Sequence, residues 1–330
     1  GLGDVYKRQY RQLTLAYPAT SFWKKLSSLW RVWGITSQLE KEGIELFHGL
    51  SNELPLNIHK SRIKSIVTIH DLIFLRYPQY YQSIDRKIYT YKFRKACENA
   101  DKIIAISECT KRDIIRYFNI PDDKIEVVYQ GCDVSFTHPV TEEKKEEVRK
   151  KYQLPDHYIL NVGSIEERKN ILAAVQALPM LPQHIHIVIV GRRTGYTEKV
   201  EQFIKDNGLG ERVHIISNVP FNDLPAFYQS AEIFVYPSRF EGFGIPIIEA
   251  LYSGIPVVAA TGSCLEEAGG PDSIYVNPDD ITGLADAFKQ IYSNSDKRKN
   301  MVEKGREFAK RFSEKQQSEE IINIYKKLIR

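Results

Sequence analysis

Cysteine is scarce in this chain: the four residues Cys97, Cys109, Cys132 and Cys264 lie far apart, with no C-x-x-C and no neighbouring histidine pair. That usage excludes a disulfide framework and a zinc-finger ligand set, and it fits a reducing cytosol. No homopolymer tract or repeat occurs, and the 19 Gly and 15 Pro are dispersed, so collagen-like, disordered and solenoid architectures lose their compositional basis. Long apolar runs are missing too. The most apolar long window, 242–260, is broken by Pro246, Glu249, Ser253 and Pro256, short of the roughly 18 uninterrupted apolar residues that a membrane span needs. Nor is there a D-x-D pair of the kind that carries a divalent cation.

What is present is an ordinary globular composition, 42% hydrophobic and 27% charged. The 330 residues are about twice a usual domain of roughly 150, which predicts two domains. Residues 1–140 carry 21 Lys and Arg against 15 Asp and Glu, whereas residues 141–330 carry 25 against 27. Such a skew permits an anionic substrate or an anionic membrane surface, and it is too mild to indicate nucleic acid. Residues 1–9, GLGDVYKRQ, have no initiator Met, no leader pattern and no apolar periodicity. They resemble translated adaptor sequence, and the chain is expected to start inside a longer protein.

From Ile44 onward, short β-branched runs alternate with amphipathic stretches, the pattern of a parallel sheet covered by helices. Strands are predicted at 45–48, 65–69, 102–106 and 125–129 in the first half. In the second half they are predicted at 158–162, 185–190, 213–217, 233–236, 256–260 and 273–276, a complete six-strand Rossmann-like count. Between the two series, 130–141 reads as a linker with Gly131 and Pro139, ahead of a charged helix over 142–151. The last segment, 313–330, sets Ile321, Ile322, Tyr325, Leu328 and Ile329 on one helical face and must dock on something.

In such sheets ligands bind at the carboxyl ends of strands. After the first strand of the second half comes GSIEERKN, residues 163–170, with Arg168 and Lys169 beside a helix start; it is either a phosphate site or a solvated charged loop paired through Glu166 and Glu167. After the fourth strand comes SRFEGFGIPIIEA, residues 238–250, whose glycines expose backbone N–H groups just before a Pro-started helix. A dinucleotide fingerprint would place a third Gly where Ile247 stands and would follow the first strand of the fold, so a dehydrogenase is excluded. Glu249 lies within an otherwise apolar helix and needs a partner, either a ligand or a buried Arg.

Glu241 and Glu249 also spell an E-x7-E motif, set in EGFGIPIIEALYSGIPVVAA. With Phe47-His48-Gly49, Thr68-Ile69-His70-Asp71, Ile104 to Ser107, Val127 to Asp133, Gly163 to Asn170 and Phe234 to Ser238, the sequence resembles family 4 glycosyltransferases. These are retaining, nucleotide-sugar-dependent enzymes of the GT-B fold, and the resemblance, over about residues 45–330, is greatest to the mannosyltransferase-B-type branch. It implies an α/β architecture of two Rossmann-like domains facing across a cleft. Residues 10–140 would form the acceptor-side domain, lacking the family's first strand and glycine-rich loop. Residues 141–312 would form the nucleotide-sugar domain, and 313–330 a helix crossing back to the first domain.

The resemblance also implies roles. His70, Glu241, Arg168 and Lys169 would be catalytic. The donor would be held by Gly163, Arg168, Lys169, Gly242, Phe243, Gly244, Ile245 and Glu249, with Glu249 on the ribose and Glu241 near the sugar. No metal or cofactor is expected beyond the nucleotide diphosphate sugar, which donates a hexose, mannose favoured, to a glycan or lipid-linked acceptor. Ser164 departs from the family, many members having Arg there, which throws phosphate neutralisation onto Arg168 and Lys169. A non-catalytic nucleotide-sugar-binding partner protein and a GT-B epimerase are the rival functions. Ser107 and Thr110 read as the N-cap and first turn of a helix rather than an acceptor site. Trp23, Trp30 and Trp33 lie among Lys24, Lys25 and Arg31; Phe22, Leu26, Leu29, Trp30 and Trp33 form a stripe expected to face the core, with a peripheral membrane helix as the other reading. The localisation expected is cytoplasmic, with peripheral contact at the inner membrane face left open.

Overall fold

Ten strands form two parallel sheets in the computed structural model, which describes Tyr17, Pro18 and residues 26–329. The adaptor-like residues 1–9, Phe22 and Trp23 lie outside the described residues. The first sheet has the order β1 (Leu46–Gly49), β2 (Lys64–Ile69), β3 (Lys102–Ala105) and β4 (Ile125–Val127). Its central strands are Val/Ile-rich and buried on both faces, as a helix-covered parallel sheet requires.

The second sheet is built from β5 (Tyr158–Val162), β6 (His186–Val190), β7 (Val213–Ile216), β8 (Ile233–Tyr236), β9 (Val257–Ala260) and β10 (Ile274–Val276). Its order is β10-β9-β8-β5-β6-β7, so chain direction across the sheet reverses between β5 and β8. That reversal is the topological switch point at which open α/β sheets bind ligands. The loops leaving β5 and β8 are the two segments singled out above, 163–170 and 238–244.

The terminal helix Glu314–Ile329 returns to the first sheet. Ile321, Ile324, Tyr325 and Leu328 pack on Leu46, Ile66, Ile104 and Val128, and the Tyr325 hydroxyl lies 2.6 Å from His48 Nδ1. The expected stripe needs correcting, because Ile322 and Ile329 face solvent and the buried member is Ile324. A stripe that meets a flat sheet is narrower than one embedded in a core. Where the chain crosses between domains, Cys132 N donates to Phe312 O at 2.9 Å, and a Cβ at Gly131 would lie 2.7 Å from Glu314 backbone. The two crossing segments approach too closely there for any larger residue.

The tryptophan stripe is a second correction. Trp30 is buried at 7% exposure, but Trp33 is 52% exposed, and Leu26 and Leu29 are also exposed. The backbone makes a π-helical turn over Trp30–Gly34. That wider turn breaks the 3.6-residue phase on which the stripe was laid out, and burial passes to Gly34, Thr36 and Leu39.

The two domains share one apolar layer. Ile73, Ile106 and Cys109 of the first join Phe240, Phe243, Cys264 and Leu265 of the second in a single buried cluster. Tyr77 packs on Phe240, with ring centroids 5.5 Å apart, beneath the Arg76 guanidinium.

Candidate functional site

The loop after β5 brings Arg168 and Lys169 into the cleft on a short turn, Glu167–Lys169. Asn170 ends that turn in the left-handed region, φ 55°, and its amide donates to Pro278 O at 2.8 Å and Pro237 O at 3.3 Å. Arg239 N donates to Arg168 O at 2.9 Å, so the loops after β5 and β8 are tied together. Gly163 has φ 153°, and a Cβ there would meet Lys169 Nζ at 3.1 Å. A side chain at 163 would push the lysine off its position.

Glu241 is where the two cations converge. Its Oε1 lies 2.9 Å from Arg168 Nη1 and 3.6 Å from Lys169 Nζ, and it accepts from Ser238 Oγ at 2.7 Å and Tyr236 OH at 3.2 Å. Burial alone would raise this carboxyl, but Lys169, Arg168 and the Ser238 hydroxyl outweigh it and hold Glu241 below its ordinary value. Burial also opposes the charge on Arg168, and Glu241 more than offsets it. All these contacts fall on Oε1. Oε2 has no protein partner among the described residues and is free for a ligand. The expectation that Arg168 and Lys169 stand ready for phosphate is thereby refined: both are paired to the Glu241 carboxylate, and Arg168 Nη2 also lies 3.7 Å from Glu166 Oε2.

The glycine loop is anchored by its carbonyls. Phe240 O accepts from Arg168 Nη1, Gly242 O accepts from Ser107 Oγ at 2.7 Å, and the Cys264 thiol lies 2.9 Å from Glu241 O and 3.1 Å from Phe243 O. Burial pushes the Cys264 thiol well up, which keeps it protonated as a donor. Among the described residues the N–H groups of Gly242, Phe243, Gly244 and Ile245 have no protein partner. They precede the helix Ile245–Ser253, which Gly244 enters at φ 116°, a conformation suited to glycine. A chain with carbonyls tied back and N–H groups free at a helix start is a cradle for an anion.

Two of the expected donor residues, Phe243 and Glu249, have side-chain partners within the protein. Phe243 is buried, stacked on Tyr129 at 5.3 Å and against Phe312, so only its backbone can serve a ligand. Glu249 does not join the Glu241 cluster. It accepts from Tyr228 OH at 2.6 Å, with no arginine partner among the described residues, and burial raises its carboxyl. Cys132 and Asp133 of the linker are its electrostatic neighbours.

From the first domain, His70 closes the other side. A Cβ on Gly242 would lie 2.2 Å from His70 O. The ring Nε2 lies 2.8 Å from Leu50 O, and a carbonyl only accepts, so Nε2 carries the proton and Nδ1 is the acceptor. Asp71, beside it, is half-buried, its Cβ 3.3 Å from where a Gly242 Cβ would stand, and desolvation raises its carboxyl. Ser107 is the N-cap of helix Glu108–Phe118, its Oγ accepting from Thr110 N at 3.0 Å, as expected. Its second bond, to Gly242 across the cleft, was not foreseen. No local spacing signals a contact over 135 positions.

Two Rossmann-like domains closed over a switch-point cradle of cations, free N–H groups and a carboxylate define a GT-B glycosyltransferase. Residues 142–308 match the family model of glycosyl transferases group 1, and residues 5–136 match that of glycosyltransferase family 4. The chain belongs to glycosyltransferase family 4. The O-antigen chain mannosyltransferase B of Escherichia coli is 31% identical over 289 residues, 86% of this chain and 74% of that protein. The O-antigen chain mannosyltransferase RfbU of Salmonella typhimurium is 29% identical over 225 residues, 68% of this chain and 60% of that protein. In fold, the chain is similar to the Anabaena protein Alr3699/HepE solved in complex with UDP, with TM-score 0.81 and 18% identity over 99% of this chain and 90% of that one.

Proposed function

We propose that this chain transfers a hexose, mannose favoured, with retention, from a nucleotide diphosphate sugar to a hydroxyl of a glycan or lipid-linked acceptor. The observation that carries this is the convergence of Arg168, Lys169 and the free N–H groups of 242–245 beside Glu241, facing His70. The relatives named as O-antigen chain mannosyltransferases support the sugar.

Chemistry at this site needs the charge of the leaving diphosphate stabilised. The loop N–H groups and Lys169 can do so without rearrangement, because the carbonyl anchors have already turned the backbone. Glu241 Oε2 is available to the sugar, where it would favour the positive charge that develops on the ring as the bond breaks. The acceptor proton passes to a leaving phosphate oxygen on the same face, so no dedicated base and no metal or cofactor is required.

The test is thermal stabilisation by GDP, UDP and dTDP, measured in EDTA throughout, since a ligand that binds only the folded state raises its apparent stability. One of them should raise Tm, and Lys169→Ala should weaken that nucleotide by about 1.5–3 kcal/mol, the usual size of a charge-assisted contact. Binding that appears only on adding manganese, or that Lys169→Ala leaves untouched, overturns the assignment.

The same reading places the chain in the cytoplasm with its first domain against an anionic membrane surface. Among the described residues no helix is long and apolar enough to cross a membrane. Supporting a peripheral contact, Leu26, Leu29 and Trp33 are exposed beside Arg31, and helix Ser83–Asn99 exposes Ile84, Ile88 and Tyr91 beside Lys87 and Lys92. Co-sedimentation with phosphatidylglycerol vesicles, absent with phosphatidylcholine and reduced severalfold by Trp33→Ser, is expected. Equal recovery with both lipids refutes it.

A further inference from the structure

Two polar contacts cross the cleft beside the glycine loop, and between them they complete structures on both sides. The Ser107 hydroxyl accepts from Thr110 N and sends its own hydrogen to Gly242 O, 2.7 Å away. In the opposite direction, Glu267 of the second domain sets one carboxylate oxygen 2.7 Å from Glu108 N and the other 2.8 Å from Cys109 N. Arg112 of the same helix stands 3.7 Å from that carboxylate.

The first-turn N–H groups of helix Glu108–Phe118, which a helix leaves orphaned, are thus satisfied by one residue of its own domain and one of the other. A carboxylate there also meets the positive end of the helix. Glu267 sits on helix Leu265–Gly269, and Cys264, which immediately precedes that helix, holds the carbonyls of Glu241 and Phe243. The segment that grips the first domain is therefore the one that braces the loop. Of the three successive carbonyls of Glu241, Gly242 and Phe243, only that of Gly242 takes its hydrogen bond from the first domain.

We infer that Ser107 and Glu267 are positioning residues of one clasp: Ser107 holds the glycine loop from across the cleft, and Glu267, on the loop's own side, holds the helix that Ser107 caps. Its N–H groups then reach their reactive arrangement only while the two domains are together. This rests on the reading above that the loop faces the donor diphosphate. The division of labour follows: the second domain binds the nucleotide with its own cations, and the clasp converts that binding into turnover.

The variant that removes the cross-cleft bond is Ser107→Gly with Thr110→Val, read against Thr110→Val alone, because the Thr110 hydroxyl also lies 3.3 Å from His70 O. Glycine is nearly as good an N-cap as serine. The second change removes the Thr110 hydroxyl, which at 3.4 Å from Gly242 O could take over the bond. In the full chain, kcat should fall about ten- to a hundredfold, the scale on which small misplacements act. Affinity for GDP, UDP or dTDP, whichever stabilises the wild type, should stay within twofold, and Ser107→Thr should keep kcat near wild type. Wild-type kcat in the double variant overturns the clasp, as does an equal loss in Ser107→Thr.

A second measurement needs no substrate. Glu267→Ala should accelerate hydrogen exchange at the Glu108 and Cys109 amides at least tenfold while the rest of that helix keeps its protection, and unchanged exchange there also overturns the proposal. If none of the three nucleotides binds the wild type, the donor reading fails, and exchange still decides the clasp.

Discussion

Replacing Glu241 by Gln should lower kcat by about a hundred- to a thousandfold and at the same time tighten binding of the nucleoside diphosphate. The two effects arise from different oxygens. Oε2 has no protein partner among the described residues and is the atom available to the sugar, so its loss of charge falls on the transition state. Oε1 is shared by Arg168 and Lys169. In the Gln variant those cations lose the carboxylate they share, Arg168 keeping only Glu166 at 3.7 Å, and the local charge rises by one unit. A dianionic ligand should gain affinity, by roughly tenfold if only one charge-assisted contact improves. Steady-state kinetics with calorimetry of the nucleoside diphosphate checks both limbs. Unchanged kcat would show that the carboxylate does not address the reacting carbon. Weakened diphosphate binding would show instead that its work is to hold Arg168 and Lys169 in place.

The sheets were legible in the sequence because their signal is local. Short runs such as Ile66-Val67-Thr68-Ile69 and Val257-Val258-Ala259-Ala260, separated by amphipathic stretches, fix strand positions to within a residue or two. Glycines beside a helix start marked the cradle in the same way. What periodicity missed depends on shape at longer range. A π-helical turn shifted the Trp30–Trp33 face, and contact with a flat sheet chose Ile324 over Ile322 and Ile329. Phe243 looked like a loop residue beside a ligand, and only its packing between Tyr129 of the first domain and Phe312 of the second makes it core.

The site divides along the same line. Arg168, Lys169 and Glu241 come from the two loops at one switch point, so a correct strand order already brings them together. Ser107 and Glu267 belong to opposite domains, and their partners are more than a hundred positions away in the chain. Ser107 was readable as an N-cap because capping is local; its hydrogen bond to Gly242 exists only once the cleft is formed. The E-x7-E spacing is local as well, but the partners of its second carboxylate are not: Glu249 accepts from Tyr228 and has Asp133 of the linker as its electrostatic neighbour.

Gly242→Ala is the other substitution expected to be severe, with kcat/KM reduced about a hundredfold or more. The reason is contact rather than backbone conformation, since Gly242 is not among the positive-φ glycines. An added Cβ would lie 2.2 Å from His70 O, 3.2 Å from His70 C and 3.3 Å from Asp71 Cβ. Those atoms are not the yielding end of a flexible side chain. His70 leaves β2 with its N–H bonded to Asn52 Oδ1 at 2.7 Å, and its carbonyl is backed by the Thr110 hydroxyl at 3.3 Å. Relief to an ordinary contact needs a shift of about 1 Å, and packed interiors transmit such a shift instead of absorbing it. The movement must therefore part the two domains, stretching the Ser107 bond to Gly242 O and drawing His70 away from the cradle. The loop's own-domain anchors, Arg168 on Phe240 O and Cys264 on Glu241 O and Phe243 O, do not cross the cleft and should survive. Nucleoside diphosphate affinity should consequently remain within a few fold of wild type while turnover is lost, and small-angle scattering should show a larger radius of gyration. Loss of nucleotide binding together with turnover would show that the added methyl collapses the cradle itself and does not only part it from His70, and near-normal kcat would mean that the domains already work further apart than this structure holds them.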